Sequence, residues 1–113
     1  MNDIDKWYAE QCDIPYDDVD DDYFLTVETQ VETPRPDYHY YPDTIPWTIT
    51  DPRCREVCRE RFNICTRKMQ TGNWLATHQY KTEYGTSVFN EEGKTIKNAE
   101  IACLKSIYEA RDE

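Results

Sequence analysis

Long apolar runs are missing from this chain of 113 residues. No stretch approaches the ~18 apolar residues that a membrane-spanning helix requires. The opening residues MNDIDKWYAEQ also lack the basic start and the apolar core of a secretory signal. We therefore expect a cytoplasmic protein without a membrane segment.

Histidine is scarce, with only His39 and His78 in the sequence. No Cys or Ser near His78 in the sequence forms a recognisable nucleophile arrangement with it, and no two carboxylates stand out as an acid–base pair. His78 shares an alternating strand face with Trp74 and Tyr80, which is typical of a structural histidine. The sequence therefore favours a protein that is not an enzyme.

Basic residues are nearly absent from the first half of the chain. Residues 1–51 hold fourteen acids against Lys6 and Arg35, a net charge of −12, whereas residues 52–113 hold eleven bases and nine acids, a net charge of +2. A negative field repels nucleic acid and membrane surfaces and attracts basic partners. We expect a basic protein partner and no direct binding to nucleic acid or membrane.

Length and composition predict one small domain. With 38% apolar and 32% charged residues the chain can fold around a modest core, since a domain of this size buries roughly two-thirds of the surface of its unfolded chain. We expect a single domain over residues 1–113, with an acidic loop at 15–22 and a Pro/Tyr-rich connection at 33–49.

Residues 50–69 predict a central amphipathic helix, with Thr50 or Asp51 as N-cap and Pro52 in its first turn. An apolar stripe recurs at steps of four, four, three and four residues. Its members are Cys54, Cys58, Phe62, Cys65 and Met69. The opposite side is mainly basic, and we expect its arginines to pair with the acidic front half or to face solvent rather than to bind phosphates.

Capping and alternation place the remaining elements. We expect a short first helix after Asn2 or Asp3, a strand over 23–31, strands at 74–80 and 86–89, and a last helix after Thr95 or Asn98. The prolines at 34, 36, 42 and 46 exclude a helix or a central strand from the connection. The pattern predicts an α+β fold, a small three-layer α-β-α sandwich with a three-stranded, mostly antiparallel sheet.

The order and spacing of several short motifs resemble the phage ABA-sandwich family, small proteins of tailed phages and prophages. The motifs are the opening IDKWYAEQCDIPY, the Tyr/Trp/Pro-rich middle, the TDP helix start, the Trp-Leu-Ala strand at 74–76 and AEIACL in the last helix. The family's first turn contains a Gly and a Trp, which Asp13 and Ile14 replace. The resemblance implies an α-β-α fold and an accessory role in a phage, and it implies no catalytic residues. For a phage protein without an export signal we expect a location in the host cytoplasm.

Five aspartates crowd residues 17–22. The run lacks the Gly and the final Glu of a calcium-binding loop, so a solvated loop, a partner-facing patch and a weak cation site stay open. We predict that carboxylates here stand where phosphates would bind, with aromatic anchors beside them. The predicted partner-binding residues are Asp17, Asp18, Asp20, Asp21, Asp22, Glu28, Glu32, Tyr38, Tyr40, Tyr41 and Trp47.

An odd number of cysteines, five, in a chain without an export signal predicts free thiols rather than a disulfide framework. Cys54, Cys58 and Cys65 have a spacing that structural zinc sites do not use. We expect them to pack as small apolar side chains, and we predict no metal and no cofactor.

Two functions from different classes follow from these patterns. The first is a phage-encoded, non-enzymatic inhibitor of a host defence or nucleic-acid-processing protein, similar to a DNA mimic and of the anti-CRISPR type. The second is a virion structural or assembly accessory protein that acts by self-association. A third possibility, from another class, is an enzyme or a metalloprotein, whose metal form would contain stoichiometric metal.

Overall fold

The computed structural model describes residues 2–32 and 38–111, and within them it describes the backbone alone for 28–32, 38–42 and 82. The described residues form three helices and two three-stranded antiparallel sheets, so the prediction of an α+β fold is confirmed. The helices are α1 (Asp3–Gln11), α2 (Pro52–Phe62) and α3 (Ile96–Ala110). The strands are β1 (Tyr16–Asp17), β2 (Asp22–Glu32), β3 (Tyr38–Pro46), β4 (Ile64–Lys68), β5 (Trp74–Thr82) and β6 (Gly85–Gly93).

Each helix begins at a side chain that accepts a hydrogen bond from a free backbone N–H of the first turn. Asn2 accepts from the amide of Asp5, and Thr95 accepts from the amide of Asn98. Asp51 caps α2. These three residues are among the N-caps that the sequence predicts.

The central helix is shorter than the predicted span of 50–69, because α2 ends at Phe62. Asn63 follows in the left-handed conformation, with φ 53° and ψ 54°, and donates its backbone N–H to the carbonyl of Arg59. The chain then leaves the helix axis and continues as β4, which pairs with β5. The prediction that Cys65 and Met69 extend the apolar face of the helix is therefore wrong.

The strands are divided between two sheets rather than collected in one as predicted. The first sheet has the order β1-β2-β3, and the second has the order β4-β5-β6. The strand predicted over 23–31 belongs to the first sheet, and the strands predicted at 74–80 and 86–89 belong to the second. The Pro-rich connection contributes β3, an edge strand, where Pro42 and Pro46 are tolerated opposite Glu28 and Phe24.

The second sheet is covered by α3 on one face. Glu91 on that face accepts a hydrogen bond from Ser106 of α3, and a Cβ at Gly93 would lie 2.5 Å from the backbone nitrogen of Ala99. The other face is mostly polar and open to solvent, with Thr77 hydrogen-bonded to Asn90 across the strands. This differs from the predicted three layers, because an antiparallel sheet can leave one face to water.

The core lies where α1, α2 and α3 meet the sheets. Its fully buried side chains include Tyr8, Trp47, Cys54, Cys58, Cys103 and Leu104. Asp5 of α1 accepts a hydrogen bond from the amide of Ile49, and the hydroxyl of Tyr8 donates to the carbonyl of Leu104. The core therefore fixes α1 against the segment before α2 and against α3.

Candidate functional site

The predicted acidic loop is a folded hairpin turn. β1 and β2 pair Tyr16 with Tyr23 and Asp17 with Asp22, so residues 18–21 make the reversal. We call residues 17–22, with their five aspartates, the acidic turn. Their carboxylates are thereby brought to one end of the first sheet.

Three of the five aspartates hold the turn together. Asp17 Oδ1 accepts from the backbone N–H of Val19 at 2.8 Å and from that of residue 20 at 3.4 Å. Asp22 Oδ1 accepts from the amide of Tyr23 at 2.8 Å. Asp21 has a left-handed backbone, with φ 54°, and its carboxylate accepts from the hydroxyl of Tyr16. Hydrogen bonds that an aspartate carboxylate accepts from nearby backbone amides favour a tight turn.

Asp18 and Asp20 make no such contribution. Both are exposed, and neither carboxylate has a hydrogen bond or an ion pair within the part of the chain that the structure describes. Between them, Val19 is 93% exposed, and Tyr16 at the base of the turn is 48% exposed. The tip thus offers two available carboxylates beside an apolar and an aromatic contact.

The turn is anchored on α1. The ring of Tyr23 lies 5.1 Å from that of Tyr16, and its hydroxyl donates to Glu10 of α1 at 3.5 Å. A cleft of about 220 Å³ between the two elements is lined by Lys6, Tyr16, Tyr23 and the carboxyl-bearing residues 21 and 22. Small-molecule pockets are usually ~300–1,000 Å³, so this cleft lies below the usual range for a drug-sized ligand.

The arginines of α2 engage partners other than the acidic turn. Arg53 forms a two-bond ion pair with Asp51, at 2.9 Å for the shorter contact, which lowers the pKa of that carboxyl. Arg61 donates from Nε to the carbonyl of Gln11 at 3.0 Å. Arg55 and Arg59 flank the buried Glu100. Among the described residues, therefore, no ion pair neutralises the turn from this helix.

The predicted anchor Trp47 is not at the surface. It is 2% exposed, and its indole N–H donates to the carbonyl of Asp5 at 2.9 Å. Trp47 therefore packs in the core and cannot contact a partner in this conformation, which corrects the prediction. The sequence shows that this run is rich in aromatic residues, but only the tertiary contacts determine which of their rings are buried.

Five of the predicted site residues lie on the paired strands β2 and β3. The register places Glu28 and Glu32 on β2 opposite Pro42 and Tyr38, and it pairs Tyr40 and Tyr41 of β3 with residues 30 and 29. The side chains of Glu28, Glu32, Tyr38, Tyr40 and Tyr41 lie outside the described part of the structure. Their proposed contacts stay predictions.

A second concave surface, which the sequence does not predict, lies where α1, the end of α3 and the second sheet meet. We call it the aromatic groove; its volume is about 510 Å³. It is lined by Trp7, Gln11, Phe62, His78, Tyr80, Phe89, Ile107, Ala110 and Arg111. The alternation of residues 74–80 could have indicated one wall of this groove. The other walls come from residues near both ends of the chain, which the alternation does not identify.

Three nearly parallel rings form one wall of the aromatic groove. His78 lies 5.5 Å from Tyr80 and 6.2 Å from Phe89, with interplanar angles of 16° and 10°. One ring nitrogen of His78 is hydrogen-bonded to the carbonyl of Phe62, as expected for a structural histidine. The groove therefore offers aromatic faces for packing, with no nucleophile paired to that histidine in the described residues.

Within residues 2–32 and 38–111, no three His, Cys, Asp or Glu side chains with described positions are grouped so that they could hold a metal ion. Cys54 and Cys58 are buried on α2 while Cys65 is exposed on β4, so the three thiols considered for a metal site do not share one helix. None of the helices in the described part is long and apolar enough to cross a membrane.

Comparisons of the chain with family models, with curated proteins and with solved structures give no match. The resemblance to the phage ABA-sandwich family therefore stays a prediction based on short motifs.

Proposed function

We propose that this chain is a phage-encoded, non-enzymatic binding protein that inhibits a host defence or nucleic-acid-processing protein by covering a basic surface. The observation that carries the proposal is the tip of the acidic turn. There Asp18 and Asp20 are exposed and have no described partner, while the neighbouring aspartates hold the backbone. Carboxylates presented in this way can take the place of phosphates against Arg and Lys side chains.

The order of the turn favours binding. A mobile acidic tail would lose conformational entropy on binding. The hydrogen bonds within this hairpin already order the turn when the chain folds, so less entropy is lost on binding. Val19 and Tyr16 add contact area that can be desolvated at the centre of an interface. The turn thus combines charge that steers a basic partner with apolar area that slows its dissociation.

The phage setting and the anti-CRISPR type of target are the finer parts of the proposal, and they rest on the motif resemblance alone. The coarser part is attraction to a basic protein, which the net charge of −12 over residues 1–51 supports. The two parts can be tested separately. The identity of the captured partner tests the finer part, and substitution of the binding carboxylates tests the coarser part.

The test compares three baits in a host-cell extract: the parent chain, D18N/D20N, and a matched control, E83Q/E109Q. Glu83 and Glu109 are exposed and lie outside the acidic turn, so both variants remove two negative charges. We expect the parent and the control to retain the same basic, nucleic-acid-binding protein, and D18N/D20N to lose it. Duplex DNA should compete, and retention should fall as salt rises.

Equal retention by all three baits, or retention that is insensitive to salt, would contradict the proposal. Light scattering of the parent alone tests the assembly alternative. A monomer at micromolar concentration is expected for the inhibitor, whereas a defined oligomer would favour a virion component.

A further inference from the structure

The last strand of the second sheet, β6, pairs with β5 along one edge only. In an antiparallel strand each residue directs its N–H and C=O to the same side, and successive residues alternate between the two sides. The amide of Met69, just after β4, donates to the carbonyl of Asn73 at 2.7 Å. Asn73 therefore faces β4, and so do residues 75 and 77. Residues 74, 76, 78, 80 and 82 of β5 face β6.

The register then identifies the backbone groups on the outer edge of β6. Residues 85, 87, 89, 91 and 93 lie opposite the five β5 residues that face β6, so they point toward β5. The two-residue loop between Thr82 and Gly85 gives the same assignment, because a hydrogen-bonded pair closes such a loop. The backbone groups that point outward belong to Thr86, Val88, Asn90 and Glu92. None of them has a backbone hydrogen bond within the described residues.

The other sheet edges carry features that discourage a further strand. β1 has only two residues, β3 contains Pro42 and Pro46, and β4 ends in Arg67 and Lys68. Short strands, prolines and basic side chains are common protections of an edge. β6 has nine residues, with no proline and no basic residue among them. Its outer edge is therefore a row of donors and acceptors with which an extended chain can pair.

Charge indicates which kind of extended chain fits this edge. The charged residues of β6 are Glu91 and Glu92, whose carboxylates accept hydrogen bonds from Ser106 at 2.6 Å and from Asn73 at 2.8 Å. A second copy of the chain would add two more glutamates and a further net charge of −10, so repulsion opposes self-pairing. A strand with basic side chains opposite the two glutamates is attracted instead.

The aromatic groove provides a contact for one side chain of an added strand. Phe89 lines the groove from β6, is half-buried, and has its ring 6.2 Å from that of His78. In an added antiparallel strand, the side chain opposite Phe89 lies on the same face as this ring. The residues two and three positions earlier in that strand lie opposite Glu91 and Glu92. The edge thus favours an apolar residue preceded by basic ones.

We propose that β6 is a docking edge for an extended, basic segment of a partner protein, which adds to the second sheet as a fourth, antiparallel strand. Hydrogen bonds to the outward backbone groups of β6 supply affinity, and the side chains opposite Phe89 and the two glutamates supply selectivity. The acidic turn belongs to the other sheet. The inference therefore goes beyond the function proposed above and does not depend on it.

The test titrates the isotope-labelled parent chain with the peptide acetyl-KKTFVTT-amide and follows backbone amide exchange by NMR. The order of the peptide places its two lysines opposite Glu92 and Glu91 and its phenylalanine opposite Phe89. At saturating peptide we expect exchange at residues 86, 88, 90 and 92 to slow by at least about tenfold. Residues 87, 89 and 91 should change little, because β5 already protects their amides.

Matched peptides separate backbone pairing from charge. N-methylation of the third and fifth residues removes N–H groups that face β6, and we expect binding to weaken at least about tenfold. N-methylation of the fourth and sixth residues removes N–H groups that face away, so affinity should change by less than about threefold. The acidic peptide acetyl-EETFVTT-amide should bind at least about tenfold more weakly than the basic one.

Two substitutions make the same comparison on the protein. V88P removes the outward N–H of Val88, which an edge strand tolerates, whereas V88T retains it. We expect V88P to bind the basic peptide at least about tenfold more weakly than V88T. The N-methylated peptides need no substitution, so the test holds even if V88P folds poorly. D18N/D20N should bind the peptide as the parent does, which separates this result from a failure of the acidic turn.

Several outcomes would overturn the proposal. They are no binding of the basic peptide at millimolar concentration, protection of β4 in place of β6, equal binding of the acidic peptide, and equal effects of the two N-methylation patterns. Protection of residues 86, 88, 90 and 92 that rises with the concentration of the parent alone would identify a second copy as the occupant. That result would overturn the proposal too.

Discussion

Glu100 shows how a single side chain can join two helices. It is 2% exposed on α3, and its carboxylate lies 3.5 Å from Nε of Arg55 and 3.3 Å from a terminal nitrogen of Arg59, both on α2. Arg55 also donates to the carbonyls of residues 49 and 50, at 3.2 and 2.8 Å. Desolvation of these charges is costly, and it is offset only while all three groups are present.

Replacing Glu100 should therefore lower the stability of the fold. We expect E100Q to lower the free energy of unfolding by about 3 kcal/mol, because it leaves the buried guanidinium of Arg55 without a counter-charge. Urea denaturation measures the change. E109Q, on the exposed side of the same helix, should change stability by less than about 0.5 kcal/mol. Similar losses in the two variants would show that the buried ion pairs contribute little.

At the scale of elements, caps and strand alternation were predictable, and the end of the central helix was not. Cys54, Cys58 and Phe62 continue to Cys65 and Met69 with a helical period, so the spacing alone favours one long helix. The structure instead pairs β4 with β5, and the long-range hydrogen bonds of that pairing outweigh the local period. Asn63 was the local signal, because Asn tolerates the left-handed conformation.

The conformation of Asn63 gives a matched pair of substitutions. We expect N63A to destabilise the chain by about 1 kcal/mol, since a Cβ-bearing residue without a polar side chain disfavours positive φ. N63G should be neutral or slightly stabilising, because glycine adopts that conformation freely. Thermal or urea unfolding of both variants checks this order. A stable N63A would instead indicate that the helix can continue past residue 62.

At the scale of the whole molecule, charge was predictable and burial was not. The acidic front half is a property of composition, so an exposed cluster at residues 17–22 could be expected from the sequence. Which aspartates hold the turn depends on backbone geometry, and the burial of Trp47 depends on its contact with Asp5 across 42 positions. The aromatic groove was missed for the same reason, because its walls come from Trp7, the second sheet and α3.

This distribution of charge predicts a measurable conflict between binding and stability. Asp18 and Asp20 repel the neighbouring carboxylates and, in the described part of the chain, have no hydrogen bond to lose. D18N/D20N should therefore raise the free energy of unfolding by about 0.5 kcal/mol at low salt. The gain should disappear near 1 M salt, where the Debye length is only about 3 Å.

The control for this prediction is E83Q/E109Q, which removes the same charge away from the turn and should change stability less at low salt. Urea titrations at two salt concentrations are sufficient for the comparison. If neutralising Asp18 and Asp20 destabilises the fold instead, the two carboxylates help to hold the turn. They would then not be free to replace phosphates on a basic partner, and the proposed inhibitor would lose the feature on which it depends.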